Sequence, residues 1–262
     1  MNNEFEGKGF VVTGAGSGMG RAEAISLAGK AAKVWVTDIN SQAGAAVVDV
    51  ITAAGGSAEF FELNVADANR WNELAAVINT QDGKLDGLVN NAGVNYRFGI
   101  LDTSVEEWHR VMDINLSSIF YGMKAMAPLI AEATGGSIVN VSSVAGMIGY
   151  FGAAYGTSKW GVRGLSKVGA LEFASQNIRV NSIHPGLIDT PLLRSGSTEY
   201  IDVSIKSIPL GRVARSAEVA NAVEFLLSDK SQYITGAEIV IDGGLTSGGL
   251  YHGIMNGVAA TA

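Results

Sequence analysis

The chain has no cysteine, only four prolines, and no apolar run approaching the roughly 18 residues of a membrane span. The first absence excludes disulfide frameworks, thiolate-held zinc and thiolate nucleophiles. Charge is scarce at 16% of residues, and acidic side chains outnumber basic ones 25 to 18, for a net −7. No cluster of Lys or Arg breaks that balance, so nucleic acid and anionic membrane surfaces are poor partners. His109, His184 and His252 stand far apart with no HxxxH pair, and no metal site is expected. The opening MNNEFEGK is polar and acidic, unlike a targeting signal, which makes a cytoplasmic location the expectation. What the chain has in plenty is apolar residues (47%) and glycine (34 of 262). The first can bury a large core. The second is nearly twice the usual share of about 7%, and predicts many tight turns or close backbone approaches.

Seven short β-branched or aromatic runs alternate with longer helical stretches: GFVVTG (9–14), KVWVTDI (33–39), SAEFFELNV (57–65), LDGLVNNAG (85–93), GSIVNVSS (136–143), IRVNSIHPG (178–186) and AEIVIDGG (237–244). Several are almost continuously apolar, as strands covered on both faces must be. The alternation predicts an α/β fold, a single domain over residues 1–262 with a doubly wound parallel sheet of about seven strands. The longest helical stretch runs SVEEWHRVMDINLSSIFYGMKAMAPLIAEA. Residues 187–215 break the rhythm. This segment is long, mixed and only partly helical, and connections of that length are commonly functional lids. The end of the chain, TSGGLYHGIMNGVAATA, is glycine-rich. A loose tail and a flap closing over a neighbouring site are both compatible with it.

The first run leads through Thr13-Gly-Ala-Gly-Ser-Gly-Met-Gly20 directly into a helical stretch. Glycines at 14, 18 and 20 allow a tight turn that brings a pyrophosphate against a helix N-terminus, where free N–H groups and the dipole favour an anion. The spacing departs from GxGxxG, and no Gly-Lys-Ser/Thr of a Walker loop follows. A strand–helix turn with no ligand is the plain alternative. Asp38, 18 residues beyond Gly20 at the end of the second run, can accept both hydroxyls of an adenosine ribose. No Arg or Lys adjoins it to tolerate a 2′-phosphate, which favours NAD over NADP. A second role for Asp38, as N-cap of the stretch from Ser41, is compatible with the first. Further on, Tyr155 and Lys159 are four apart on a helical stretch and share a face. Ser142 ends the preceding strand, at the edge where open α/β sheets hold ligands.

Taken together, TGAGSGMG, Asp38, NNAG (90–93), Asn115, Ser142, Tyr155-Gly-Thr-Ser-Lys159 and Pro185-Gly-Leu-Ile-Asp-Thr190 resemble the ordered motif set of the short-chain dehydrogenase/reductase family. SKWGVRGLSK with RVNSIHPG is most similar to its bacterial hydroxysteroid and cyclic-alcohol dehydrogenases. The resemblance implies Tyr155 as acid/base, Ser142 orienting the substrate oxygen, Lys159 holding the nicotinamide ribose and acidifying Tyr155, and Asn115 positioning a relay water. It implies a cofactor lying along Gly14, Ser17, Gly18, Met19, Gly20, Asp38, Ile39, Asn64, Val65, Asn91, Gly93, Tyr155, Lys159, Pro185, Ile188 and Thr190. Asn64 departs from the family's usual Asp, and its amide oxygen can still accept the adenine amine. A free Tyr titrates near 10, so a base working near pH 7 to 8 needs a drop of about 2 to 3 units, or roughly 3 to 4 kcal/mol. An ammonium about 4 Å away supplies on the order of 4 kcal/mol at an effective dielectric near 20, so Lys159 together with a cationic nicotinamide ring is expected to supply the shift.

The pocket expected from Val94, Tyr96, Ser142, Met147, Gly149, Tyr150, Phe151, Leu187, Leu192, Leu193 and the lid is mainly apolar. Arg97, Arg194 and Lys206 are scattered in sequence, without an evident anion clamp. An uncharged, bulky or cyclic secondary alcohol or its ketone is therefore expected as substrate. A 3-oxoacyl-carrier-protein reductase is the alternative enzyme, and a non-catalytic NAD-binding protein the alternative class. His184 is expected to shape a turn, and Trp71 and Trp108 to pack. Gly161, Gly164 and Gly169 each cost their helix about 1 kcal/mol relative to Ala. They are expected to allow close packing against cofactor, helix or subunit. The resemblance also implies a homotetramer assembled through this helix and the one through 120–133.

Overall fold

The computed structural model describes residues 3–259. The domain limits expected at Met1 and Ala262 fall outside the described residues. The strands are β1 (Gly9–Thr13), β2 (Lys33–Asp38), β3 (Ser57–Glu62), β4 (Gly87–Asn90), β5 (Gly136–Val141), β6 (Ile178–Pro185), β7 (Ile188–Asp189), β8 (Ala214–Arg215) and β9 (Glu238–Ile241). The helices are α1 (Gly18–Ala28), α2 (Ser41–Ala53), α3 (Ala68–Gln81), α4 (Val105–Met112), α5 (Ser118–Glu132), α6 (Ala153–Glu172), α7 (Pro191–Arg194), α8 (Thr198–Ile205), α9 (Ser216–Leu227) and α10 (Leu245–Ala259). Seven strands form one parallel sheet in the order β3-β2-β1-β4-β5-β6-β9. Strand order reverses between β1 and β4, and open α/β sheets bind ligands beyond the carboxyl ends of strands at such a point.

Side-chain alternation along each strand divides the core into two layers. Phe10, Val12, Val34, Val36, Val139 and Ile183 face α1, α2 and α9 through Leu27, Ile51 and Val223. Val11, Trp35, Leu88, Ile138 and Val180 face α3, α5 and α6 through Leu74, Met126 and Val162. Both layers are dry, which explains why the central strands read as continuous apolar runs. Trp71 is fully buried in the second layer, as expected.

Three elements differ from the sequence reading. The long helical stretch before β5 is two helices, α4 and α5, joined by a π-turn over Asp113–Ser117. Residues 187–215 contain α7 and α8, and the ends of this segment pair as the short parallel ribbon β7–β8. The glycine-rich terminal stretch is helical through α10, while its last three residues lie outside the described ones. Asp242 anchors that helix, accepting the Gly244 and Thr246 N–H groups at 2.9 and 2.7 Å. Among the described residues no helix is long and apolar enough to cross a membrane.

Candidate active site

The β1–α1 turn closes because Gly14 and Gly18 take left-handed backbone, with φ of +61° and +54°. A Cβ on Gly20 would stand 2.5 Å from the Gly14 carbonyl oxygen and from Asn91 Nδ2. Gly20 therefore lies under the turn, and Asn91 ties it to β4 by donating to the Thr13 carbonyl at 2.8 Å. Ser17 occupies the N-cap position of α1, yet its hydroxyl makes no capping bond. The helix start is left facing a cavity of about 260 Å³. Gly14, Ser17, Gly18, Met19, Asp38, Ile39, Asn64, Val65, Asn91, Gly93 and Thr190 line it, joined by Leu63, Ala92 and Ile114, which sequence reasoning missed. Val94 and Leu192, expected at the substrate, also reach this wall.

Asp38 accepts the Gly16 and Asn40 N–H groups, each at 2.9 Å. It does not cap α2; Asn40 does, accepting from the Ala43 N–H at 3.0 Å. Its carboxylate is free to face the cavity, and no Lys or Arg shares that lining. A glycine cradle, an uncapped helix start and a cation-free carboxylate fit an adenine dinucleotide.

A second cavity of about 270 Å³ adjoins the first and shares Met19, Thr190 and Leu192 with it. Ser142, Ser143, Tyr150, Tyr155, Pro185, Leu187, Ile188, Leu192 and Leu193 are on its wall. Helix α6 presents Tyr155 and Lys159 on one face, with Lys159 Nζ 5.7 Å from the phenol ring centroid. Lys159 is buried and donates to the Val141 carbonyl at 2.9 Å. A Cβ on Gly93 would lie 3.5 Å from Lys159 Nζ and 3.3 Å from Asn115 Oδ1, so both groups reach the backbone at the first cavity's edge.

Burial sets the acidities here. It pushes the Tyr155 hydroxyl up to about 12 and the Lys159 ammonium down to about 8. The sequence reading assigns the acidification to Lys159 together with a cationic nicotinamide, and the chain by itself leaves the phenol raised. The Lys159 amine donates to the Val141 carbonyl, and burial is the largest influence on the phenol.

Two adjacent serines, Ser142 and Ser143, reach this cavity and make different contacts. Ser142 donates its hydroxyl to the Lys159 carbonyl at 2.8 Å and so braces α6 against β5. Ser143 is the serine whose side chain meets the Tyr155 hydroxyl, opposing the upward push of burial. His184, fully buried and held below its ordinary value by desolvation, contacts Ser182 Oγ at 3.0 Å and the Ser143 carbonyl at 3.3 Å. It shapes the turn that presents Ser143. Asn115, within the π-turn, clamps the Val94 N–H and carbonyl at 2.8 and 2.9 Å and donates to Ser158 at 3.1 Å.

Tyr96 and Gly149 are not on the substrate-side wall, nor is Met147, and Phe151 lines an outer groove with Trp108. The segment after β4 has no regular secondary structure, and its side chains at 95–98 alternate between two sides. Tyr96 stacks on Phe98 at 5.0 Å, while Asn95 and Arg97 enter the cavity. Tyr200 and Ser204 of α8 and Leu245 of α10 complete the wall. Period-two alternation through residues 94–98 was the signal that could have found Asn95 and Arg97.

A family model described as Enoyl-(Acyl carrier protein) reductase matches residues 14–246. Cyclohexanol dehydrogenase of Acinetobacter sp. (strain SE19) is 41% identical over 250 residues, covering 94% of this chain and 98% of that protein. The chain belongs to the short-chain dehydrogenase/reductase family. Trans-4-hydroxycyclohexanecarboxylate dehydrogenase of Sinomonas cyclohexanicum is 40% identical over 245 residues, covering 91% and 92%. The crystal structure of a short-chain type dehydrogenase/reductase from Mycobacterium marinum superposes with a TM-score of 0.90 at 34% identity, covering 94% and 98%. As a short-chain dehydrogenase/reductase, the protein is an oxidoreductase, and the dehydrogenases of this family use a nicotinamide cofactor.

Proposed function

We propose that the protein is an NAD-dependent dehydrogenase that interconverts a cyclic or similarly bulky secondary alcohol and its ketone. The observation that carries this reading is the position of Tyr155 in a largely apolar cavity that opens onto the Asp38 cavity. Asp38 faces the first cavity without a neighbouring cation, which suits two ribose hydroxyls and repels a 2′-phosphate. Relatives named for ring alcohols support the substrate class, one ring bearing a carboxylate and one without.

The protein's own groups divide the work. Ser143 holds the substrate oxygen beside Tyr155 by a hydrogen bond. In oxidation the ionised Tyr155 takes the hydroxyl proton; in reduction its hydroxyl returns one to the carbonyl oxygen. Lys159, protonated below about 8, lies where it can hold the nicotinamide ribose and adds positive charge below the phenol. Asn115 is a positioning residue that fixes the Gly93–Val94 backbone between the two cavities. The bound nicotinamide supplies the hydride acceptor or donor and, when oxidised, the further positive charge that a phenol starting near 12 requires.

The test follows NADH absorbance over a panel of cyclohexanol, cyclopentanol, hydroxysteroids and acyclic alcohols with each nicotinamide. Ring alcohols are expected to turn over with NAD⁺, with kcat/KM falling by about tenfold or more on NADP⁺. Preference for NADPH and thioester-linked 3-oxoacyl substrates would overturn the reading. Tyr155→Phe is expected to abolish turnover while retaining NADH binding by fluorescence. Retained turnover would remove Tyr155 from the chemistry.

A further inference from the structure

Arg97 is the one charged side chain on the wall of the second cavity. Its Nη1 donates to Ser195 Oγ at 3.3 Å and its Nη2 to the Leu192 carbonyl at 3.1 Å. Both acceptors are neutral, and both belong to the lid around α7. Its Nε is buried with no acceptor, and so is Asn95 Oδ1 with no donor. None of the ion pairs among the described residues includes Arg97. Tyr150 hydrogen-bonds with both side chains, and its ring centroid lies 5.5 Å from that of Tyr155.

We propose that the substrate carries a carboxylate, held by Arg97 with Asn95 and Tyr150, on a ring whose hydroxyl lies at Tyr155. Arg97 is partly buried and its Nη groups stay near solvent, but its buried Nε is a polar donor that costs free energy while it lacks an acceptor, and the protein supplies no anion there. The Nη contacts and the bond to Tyr150 hold the side chain in place, and they leave Nε directed into a buried position with no acceptor. A carboxylate accepts from the guanidinium in its plane, with charge-assisted bonds stronger than neutral ones. A half-turn of the Asn95 amide brings its N–H donors to the same oxygens. A neutral ring alcohol leaves Nε unpaired. The contact also couples recognition to the lid, because the group that would bind the anion already grips Leu192 and Ser195. The scattering of Arg97, Arg194 and Lys206 along the sequence concealed this position, and the expectation of an uncharged substrate is revised. The inference rests on the dehydrogenase reading above and narrows it.

The experiment compares 4-hydroxycyclohexanecarboxylate with its primary amide, a neutral partner of nearly the same shape, in wild type, Arg97→Met and Arg97→Lys. Wild type is expected to favour the acid in kcat/KM by about tenfold to hundredfold. Arg97→Met is expected to bring the acid-to-amide ratio near one, and Arg97→Lys to restore part of it. A loosened lid alone lowers both substrates together and leaves the ratio in place. Calorimetric titration of cyclohexanecarboxylate and cyclohexanecarboxamide into each protein, with and without NADH, reads the same preference without turnover. Equal binding of acid and amide by wild type, or a ratio that survives Arg97→Met, overturns the carboxylate site even if ring alcohols are oxidised. Absence of all alcohol oxidation overturns the dehydrogenase reading instead, and the titration still decides the role of Arg97.

Discussion

Glu23, on α1, has no accessible surface and no hydrogen bond to either carboxylate oxygen, and burial raises its pKa from 4.5 to about 8. The folded chain keeps this proton where the unfolded chain has lost it. Its contribution to stability is therefore full below pH 4.5 and lost as pH rises through about 8. Lys159 acts in the opposite sense. Lowered from 10.5 to about 8, it costs stability at low pH, a cost relieved as pH rises from about 8 toward 10.5. Denaturant midpoints are thus expected to fall between pH 5 and 8, each group contributing up to about 1.4 kcal/mol per pH unit within its window. Glu23→Gln is expected to flatten that fall, and an unchanged slope would exclude Glu23 as its source. The paired serines yield a sharper division. Ser143→Ala is expected to lower kcat by about 10² or more, and also to cost about 1 kcal/mol because its hydroxyl accepts the Ala145 N–H at 3.1 Å. Ser142→Ala is expected to cost about 1 kcal/mol of stability through the lost bond to the Lys159 carbonyl. Tyr155 and Lys159 were legible because a four-residue spacing on a helix defines a shared face whatever surrounds it. The choice between adjacent serines at a strand end was not, since it depends on which hydroxyl β5 turns toward α6.

Helix α6 carries its glycines for different reasons along its length. A Cβ on Gly161 would lie 2.6 Å from Leu116 Cδ2 in the π-turn, and one on Gly169 3.2 Å from Met123 Sδ in α5. One on Gly164 would meet nothing within 4 Å. Gly161→Ala is expected to destabilise by about 1 to 3 kcal/mol as Leu116 is forced aside. Gly164→Ala is expected to stabilise the isolated chain by up to about 1 kcal/mol through helix propensity. Thermal unfolding of the two variants checks both signs. The sequence contains the glycines but not their neighbours. It likewise shows one long helical stretch where the structure has two helices, because Asp113–Ser117 keeps helical periodicity while its hydrogen bonding widens to let Asn115 face the site.

Across the whole molecule, α5 and α6 leave Phe120, Trp160, Val168 and Leu171 exposed, Leu171 at 83%. An apolar surface of that kind agrees with the homotetramer implied by family resemblance. Light scattering is expected to give a tetramer, and Leu171→Asp to shift it toward smaller species; a monomeric wild type would exclude the assembly. Strand number, alternation with helices, the glycine turn, Asp38 and the Tyr–Lys pair were determined by the sequence alone. They follow from periodicity and short spacing, which survive any tertiary arrangement. Tertiary structure alone decided that Ser143 rather than Ser142 meets the phenol, that burial acts on the phenol and the amine alike, and that Arg97 enters the cavity. Each of those depends on desolvation or on contacts between residues far apart in the chain, such as Arg97 with Leu192, and no local pattern encodes them.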